Sequence, residues 1–179
     1  MVKGADGKEY ALSAPWILGF ADGESTLSFN LIKNVELTVG FQIQAVFIIV
    51  QGETDYYLLT AIANFFGYGT VSVNRKDETS VRYQYRVVDT EILTKLFIPF
   101  FKVIRFLTKK SVEFTHWSQW FEYLYNKKHY SDWPNGMLAL LEGLKQFKLC
   151  GYPTLKAISF IETCDNFIEK TQKSPKPKV

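Results

Sequence analysis

The sequence predicts an α+β fold: one four-stranded antiparallel sheet covered on one side by helices. Three observations carry this. Apolar spacing switches between helical and alternating periods in the order α-β-β-α-β-β-α. The rest of the chain keeps helical spacing. Apolar residues make up 47% of the 179 positions, enough for the core of one ordinary domain.

Residues 1–12 read as a leader. Ser13 fits an N-cap and Pro15 a first helical turn, so a helix is predicted over 14–23. The period then becomes two. Leu27, Phe29 and Leu31 alternate with Ser28, Asn30 and Ile32, a turn falls near Asn34–Glu36, and Ile43, Ala45, Phe47 and Ile49 alternate with Gln42, Gln44, Val46 and Ile48. A helix follows, capped by Thr54, striped by Leu58, Leu59, Ile62, Phe65 and Phe66, and closed by Gly67. In a second hairpin Thr70, Ser72, Asn74 and Lys76 alternate with Val71 and Val73. After a turn at Asp77–Thr79, Arg82, Gln84 and Arg86 alternate with Tyr83, Tyr85 and Val87. Asp89 or Thr90 caps a helix to about Phe101, and further helices are predicted over 109–127, 133–148 and 154–170. Residues 13–170 read as a single domain, and 171–179, "TQKSPKPKV", as a basic, disordered tail.

Several function classes fall away. The opening "MVKGADGKEYALSAPW" has no apolar segment of a secretory signal, and no apolar run approaches a membrane span, so no membrane partner is expected. The charge is a mild +3, so a basic face would have to come from clustering. Cys150 and Cys164 have neither redox nor metal-finger spacing and read as free buried thiols in a reducing compartment. His116 and His129 sit in helical segments without His or Cys partners and read as structural or surface residues.

The outward strand positions are distinctive. Ser28, Asn30, Ile32, Gln42, Gln44, Ser72, Asn74, Lys76, Arg82, Gln84 and Arg86, with Asn34 at the turn, supply amides, hydroxyls and cations but no carboxylate. An ordinary solvated face mixes both signs of charge. Asn and Gln can bridge adenine edges and Arg can bridge guanine, while a two-stranded ribbon fits the major groove.

The end of the first helix, "ILGFADGES" over residues 17–25, places Gly19 and Gly23 four apart on one helix face, where backbones can approach closely. It also places Asp22 and Glu24 at the negative end of the helix dipole, an unfavourable location for acid. This stretch resembles the signature of the LAGLIDADG homing endonucleases, with Gly19, Asp22 and Glu24 at its third, sixth and eighth positions. Leu18 and Ser25 depart from the pattern at its second and ninth. The likeness extends over residues 14–150 through the ββαββα order, "FIIVQGETD" (47–55), "LTKK" (107–110) and "NKKHYS" (126–131).

The resemblance implies a LAGLIDADG homing-endonuclease fold, with extra C-terminal helices, whose sheet binds double-stranded DNA. It implies that two motif helices pack side by side through Gly19, Gly23 and Phe20, and that their ends set one acid from each half beside the other. Such acids repel unless divalent ions lie between them; hard oxygen ligands suit Mg²⁺, and Mn²⁺ or Ca²⁺ can occupy the same place. Glu24 is then the metal ligand, assisted by the Gly23 carbonyl. Gln51 and Lys110 sit near metal-bound water, with Lys110 either polarising that water or stabilising phosphate charge. Asp22 reads as structural, because one of the two acids points down the shared axis. A single motif in the chain implies a homodimer on a near-palindromic target, each strand being cut near the axis. The expected protein is an intracellular, intron-encoded nuclease, with an organellar setting. Two other readings fit the same fold: an intron RNA-binding maturase and a non-catalytic DNA-binding regulator.

Overall fold

The computed structural model describes residues 2–3, 6–37, 39–149, 155–173 and 175, without the side chains of 155–157. Its elements run β1 (Val2–Lys3), β2 (Glu9–Tyr10), α1 (Ala14–Glu24), β3 (Ser25–Lys33), β4 (Phe41–Gly52), α2 (Tyr56–Phe66), β5 (Thr70–Lys76) and β6 (Val81–Val87). Then come α3 (Thr90–Ile92), α4 (Ile98–Val103), α5 (Lys110–Tyr125), α6 (Lys128–Ser131), α7 (Asn135–Leu149) and α8 (Leu155–Lys173). The four-stranded sheet has the order β3-β4-β6-β5, so β3 and β5 are its edges.

One domain was expected over 13–170. By internal packing the chain divides into two compact units, Met1–Ser28 with Val46–Ser111 and Phe29–Ala45 with Val112–Val179. β3 and β4 contribute residues to both. No described helix is long and apolar enough to cross a membrane.

The first unit contains α1, α2, β5 and β6 around an aromatic core. Phe97 lies 4.4 Å from Phe66 and 5.1 Å from Phe47 between ring centroids, and Phe101 stacks on Phe106 at 4.7 Å. α1 starts as expected: Ser13 accepts from the Trp16 N–H at 3.4 Å, and proline occupies its first turn. Ile17 and Ala21, one turn apart, are its buried residues. Asp89 caps α3, accepting from the Glu91 and Ile92 N–H groups. The single helix expected from there to about Phe101 is interrupted by a π-helical segment, Leu93–Phe97, whose Leu93 and Phe97 are both buried, and ends at Val103.

In the second unit Trp117 packs 5.6 Å from Phe121 and 6.2 Å from Phe29, and Phe41 stacks on Phe167 at 3.9 Å. Gly143 of α7 is buried against the Trp120 indole, where a Cβ would collide with the ring. Cys164 is a buried thiol, pushed up to about 12 by burial, while Cys150 lies outside the described residues. His129 is buried and His116 exposed.

Other expectations need correction. Thr54 does not cap α2. It lies in a 3₁₀ turn, Glu53–Asp55, and donates to Asp55 at 3.4 Å. The turn after β3 runs on to Gly40, closed by the Asn34 N–H donating to the Gly40 carbonyl at 3.0 Å. Residues 1–12, read as a leader, contain the paired strands β1 and β2. The tail does not begin at 171: Thr171 is fully buried and α8 continues to Lys173, beyond which 174 and 176–179 lie outside the described residues.

Gly67 closes α2 in the left-handed region, with φ +70°, and Gly69 follows at +94°. A Cβ at Gly69 would strike the ring of Tyr85, whose hydroxyl donates to the Tyr68 carbonyl at 2.7 Å. Gly69→Ala therefore combines backbone strain with overpacking. It is expected to destabilise the fold by about 2–4 kcal/mol, measured by denaturant unfolding; an unchanged midpoint would refute it.

Candidate active site and nucleic-acid face

The candidate site forms where α1 hands over to β3 without an intervening loop. Ser25 makes this possible. Its N–H and its hydroxyl both donate to the Ala21 carbonyl, the hydroxyl at 2.6 Å, satisfying a carbonyl that the helix end leaves open. Its φ of −79° is ordinary extended backbone. The junction thus has no need of glycine at this place, which accounts for the serine.

The two acids of the last turn separate. Asp22 turns to the segment before α5: its carboxylate accepts from the Leu107 N–H at 2.9 Å, the Thr108 N–H at 3.2 Å and the Thr108 hydroxyl at 2.6 Å. Partial burial works against its ionised form. The Thr108 hydroxyl, the two N–H groups and the nearby Lys110 charge outweigh that, holding the carboxyl below its ordinary range. Glu24, two residues on, is exposed. Its Oε2 accepts from Gln51 Nε2 at 3.2 Å, and its Oε1 takes no hydrogen bond from the described residues.

Lys110 completes the group. Its N–H donates to the Thr108 hydroxyl at 3.2 Å, and its ammonium donates to the Ser25 carbonyl. The same threonine thereby holds Asp22 and starts α5. Glu24, Gln51 and Lys110, nominated from 24, 51 and 110 in the sequence, are brought to one helix end. Gln51 comes from the end of β4, where it stands opposite Tyr83 of β6.

The donor set suits a hard divalent cation in part. Glu24 offers an exposed carboxylate and Gly23 a carbonyl in the last turn, all oxygen. Among the described residues no group of three or more His, Cys, Asp or Glu side chains could hold a metal by itself.

Along α1, Gly19 and Gly23 face nothing: a Cβ built on either has no neighbour within 4 Å. Trp16, 40% exposed, stacks on Phe20 at 4.9 Å. A glycine in a helix interior, as at Gly19, gives up roughly 1 kcal/mol relative to alanine, and no packing with the described residues accounts for it.

The outward strand positions fare unequally. On β6, Arg82, Gln84 and Arg86 share one face, and the register sets Ser72 against Gln84 and Thr70 against Arg86. Asn74 donates to Gln84 Oε1 at 2.9 Å and Gln84 donates to Ser72 at 3.3 Å, a ladder of pre-oriented amides. A bulge between Val73 and Arg75 then shifts the register. Arg75, not Lys76, stands opposite Arg82, and Lys76 pairs with Val81 on the other face. Lys76 therefore leaves the predicted face and Arg75 joins it. Asparagine near the end of a strand was the one available signal.

On β4, Gln42 is exposed and Gln44 half-buried, but Ile48 and Val50 stand opposite Arg86 and Gln84, so the face is apolar there. On β3, Asn30 is half-buried and Ile32 exposed. Ser28 is a correction: at 9% exposure it presents almost no surface. The Asn34 side chain accepts from the Glu36 N–H at 3.0 Å within the turn.

The sequence pattern of the LAGLIDADG endonuclease family matches residues 17–121, a span that includes all of this group. A curated relative, "Probable intron-encoded endonuclease 2" of Neurospora crassa, is 30% identical over 136 residues, 75% of this chain. The match spans 27% of that relative's length. Among solved structures, the homing endonuclease I-TnaI aligns with a TM-score of 0.72 at 26% identity, over 87% of this chain and 99% of that one. I-SmaMI bound to uncleaved DNA target in the presence of calcium ions aligns at 0.69 and 23% identity, over 86% of this chain and 50% of that one. I-LtrWI bound to target DNA aligns at 0.70 and 21%, over 78% and 45%. These last two show a shared fold.

Asp22→Ala removes three hydrogen bonds to one carboxylate and is expected to destabilise by about 1–3 kcal/mol. Because the folded carboxyl lies below its ordinary value of 3.8, the stabilisation is complete above that pH and is lost as the pH falls below it. The stability gap between wild type and Asp22→Ala, followed by denaturant unfolding, should be constant near neutrality and shrink in acid. A gap that persists unchanged in acid would count against this role.

Proposed function

Since the chain belongs to the LAGLIDADG endonuclease family, we propose that it is a site-specific double-strand DNA endonuclease, acting as a homodimer with a divalent metal ion. The observation that carries this reading is the convergence of Glu24, Gln51 and Lys110 at the end of α1. A binding protein without catalysis has no use for an exposed acid set against the helix dipole beside a lysine.

Homodimerisation is supported by the open face of α1. Gly19 and Gly23 let a second copy of the helix approach closely, with Phe20 at the contact. The second copy brings the second Glu24, which turns a partial coordination sphere into a fuller one. Mg²⁺ fits these oxygen donors, and the calcium present with the I-SmaMI complex is of the same hard class. A bound divalent ion would supply Lewis-acid stabilisation of phosphate charge and activation of water.

The residues of the chain have separable tasks in this reading. Glu24 and the Gly23 carbonyl would hold the ion. Gln51 fixes the Glu24 carboxylate by donating to Oε2. Lys110, steadied by the Ser25 carbonyl, places its ammonium where phosphate charge develops or where water attacks. Asp22 keeps Lys110 in position through Thr108. The polar ladder of β5 and β6 reads base edges, and two-fold symmetry calls for a near-palindromic target. The relative's name supports an intron-encoded origin, for which an organellar setting is the expectation.

The test uses duplex DNA spanning the insertion site of the encoding intron. Wild type should cleave it with Mg²⁺ and not with chelator. Glu24→Gln should bind it but cleave at least about 100-fold more slowly, a loss of ~2.7 kcal/mol of transition-state stabilisation. Cleavage by Glu24→Gln at the wild-type rate would overturn the site. In sedimentation, wild type should be a dimer. Gly19→Ala should weaken that dimer while raising the stability of the single chain by about 1 kcal/mol; a monomeric wild type would overturn the assembly.

A further inference from the structure

Beside the edge of β3 lies a cleft of about 450 Å³, lined by residues 29–32 of that strand, Lys148 of α7, and Ser159, Phe160 and Thr163 of α8. Successive side chains of a strand point to opposite faces. A surface that meets four in a row therefore runs along the strand's edge, where backbone N–H groups have no partner strand.

Phe29, Leu31, Ile32 and Phe160 make half of the lining apolar, and the polar half offers donors. Lys148 holds its ammonium 5.1 Å from the centre of the Phe160 ring. Burial pushes that ammonium below the ordinary lysine range, and no carboxylate of the described residues lies within ion-pair distance of it. Three residues earlier, Lys145 meets Glu142 at 3.0 Å and Asp165 at 2.8 Å. The Asn30 amide, the Ser159 hydroxyl and the β3 edge add uncharged donors, and among the described residues no acid lines the cleft. A partly desolvated cation with such neighbours favours an oxyanion.

We propose that this cleft binds a backbone phosphate of duplex DNA lying against the sheet, so that α7 and α8 extend the DNA contact beyond the strands. The inference rests on the endonuclease reading. Its link to the sheet is direct, because Asn30 and Ile32 are outward residues of β3 and also line the cleft. A duplex laid along the outer face of β3 brings its backbone to the cleft mouth. The contact carries no base information: it sets register and adds affinity.

The probe is a fluorescein-labelled insertion-site duplex, titrated with full-length wild type, Lys148→Gln, Lys148→Arg and Lys145→Gln across a salt series. Each lost phosphate contact lowers the slope of log K against log salt by about 0.9. Lys148→Gln should show that loss per chain and bind roughly 3-fold more weakly. Lys148→Arg should keep the wild-type slope. Lys145→Gln, whose lysine is already paired, should keep it too, which separates the cleft from a simple fall in net charge. A wild-type slope in Lys148→Gln, with wild type binding and cutting normally, overturns the cleft alone. Wild type that does not bind the duplex overturns the endonuclease reading and the cleft with it. A slope change seen with an intron RNA stem and not with DNA assigns the cleft to RNA and overturns the proposal.

Discussion

The carboxylate of Asp22 is the interaction on which the site depends. It sits at the weak end of α1, where the helix dipole opposes it, and is held there by three donors from Leu107 and Thr108. Those bonds fasten the segment before α5 to the helix that carries Glu24. Thr108 then passes the constraint on, because its hydroxyl accepts from the Lys110 N–H. Without that relay, Lys110 would be a surface lysine with many rotamers rather than a cation resting on the Ser25 carbonyl. The acid held by Leu107 and Thr108 thus supports the geometry around the acid that is left exposed.

Glycines illustrate how the same residue serves two ends. In α7, Gly136 and Gly143 are buried, and a Cβ on either would collide with Lys128 or Trp120. Those glycines are explained inside the chain. In α1, a Cβ on Gly19 or Gly23 would meet none of the described residues outside the helix backbone within 4 Å. From sequence alone both helices show glycines and an acid, and only the absence of a following strand pattern tells them apart. The structure gives the physical difference: one helix uses its glycines for its own core, the other presents them outward.

Much of the fold was legible because periodicity encodes burial. Ser13, Gly67 and Asp89 marked helix ends by chemistry that acts locally, and the alternation of β3 to β6 followed from one covered face. The convergence of Glu24, Gln51 and Lys110 came from family resemblance; spacing in the chain does not encode it. What escaped was long-range or register-dependent. Asp22 finds its donors 85 and 86 positions away. Ser28 has the outward parity of its strand, and its burial depends on surroundings that alternation does not describe. Thr54 was displaced by a 3₁₀ turn that competes with simple capping. Lys76 was lost to one extra residue, since a slip of one reverses every side chain beyond it.

That extra residue sets the phase in which the β5–β6 ribbon presents its side chains. Up to Val73 the ribbon presents hydroxyls and amides; past Asn74 the phase inverts and an arginine takes the place a lysine would have held. Arginine grips a guanine edge with two parallel bonds, whereas lysine offers a single mobile charge. In the DNA-binding reading proposed above, the position of the bulge decides which cation the ribbon tip presents to a duplex, Arg75 being held there by the Asp77 carboxylate at 2.7 Å. Deleting or moving it would exchange Arg75 for Lys76 on that face with no change of sequence at either position, so phase as well as substitution alters what the ribbon presents.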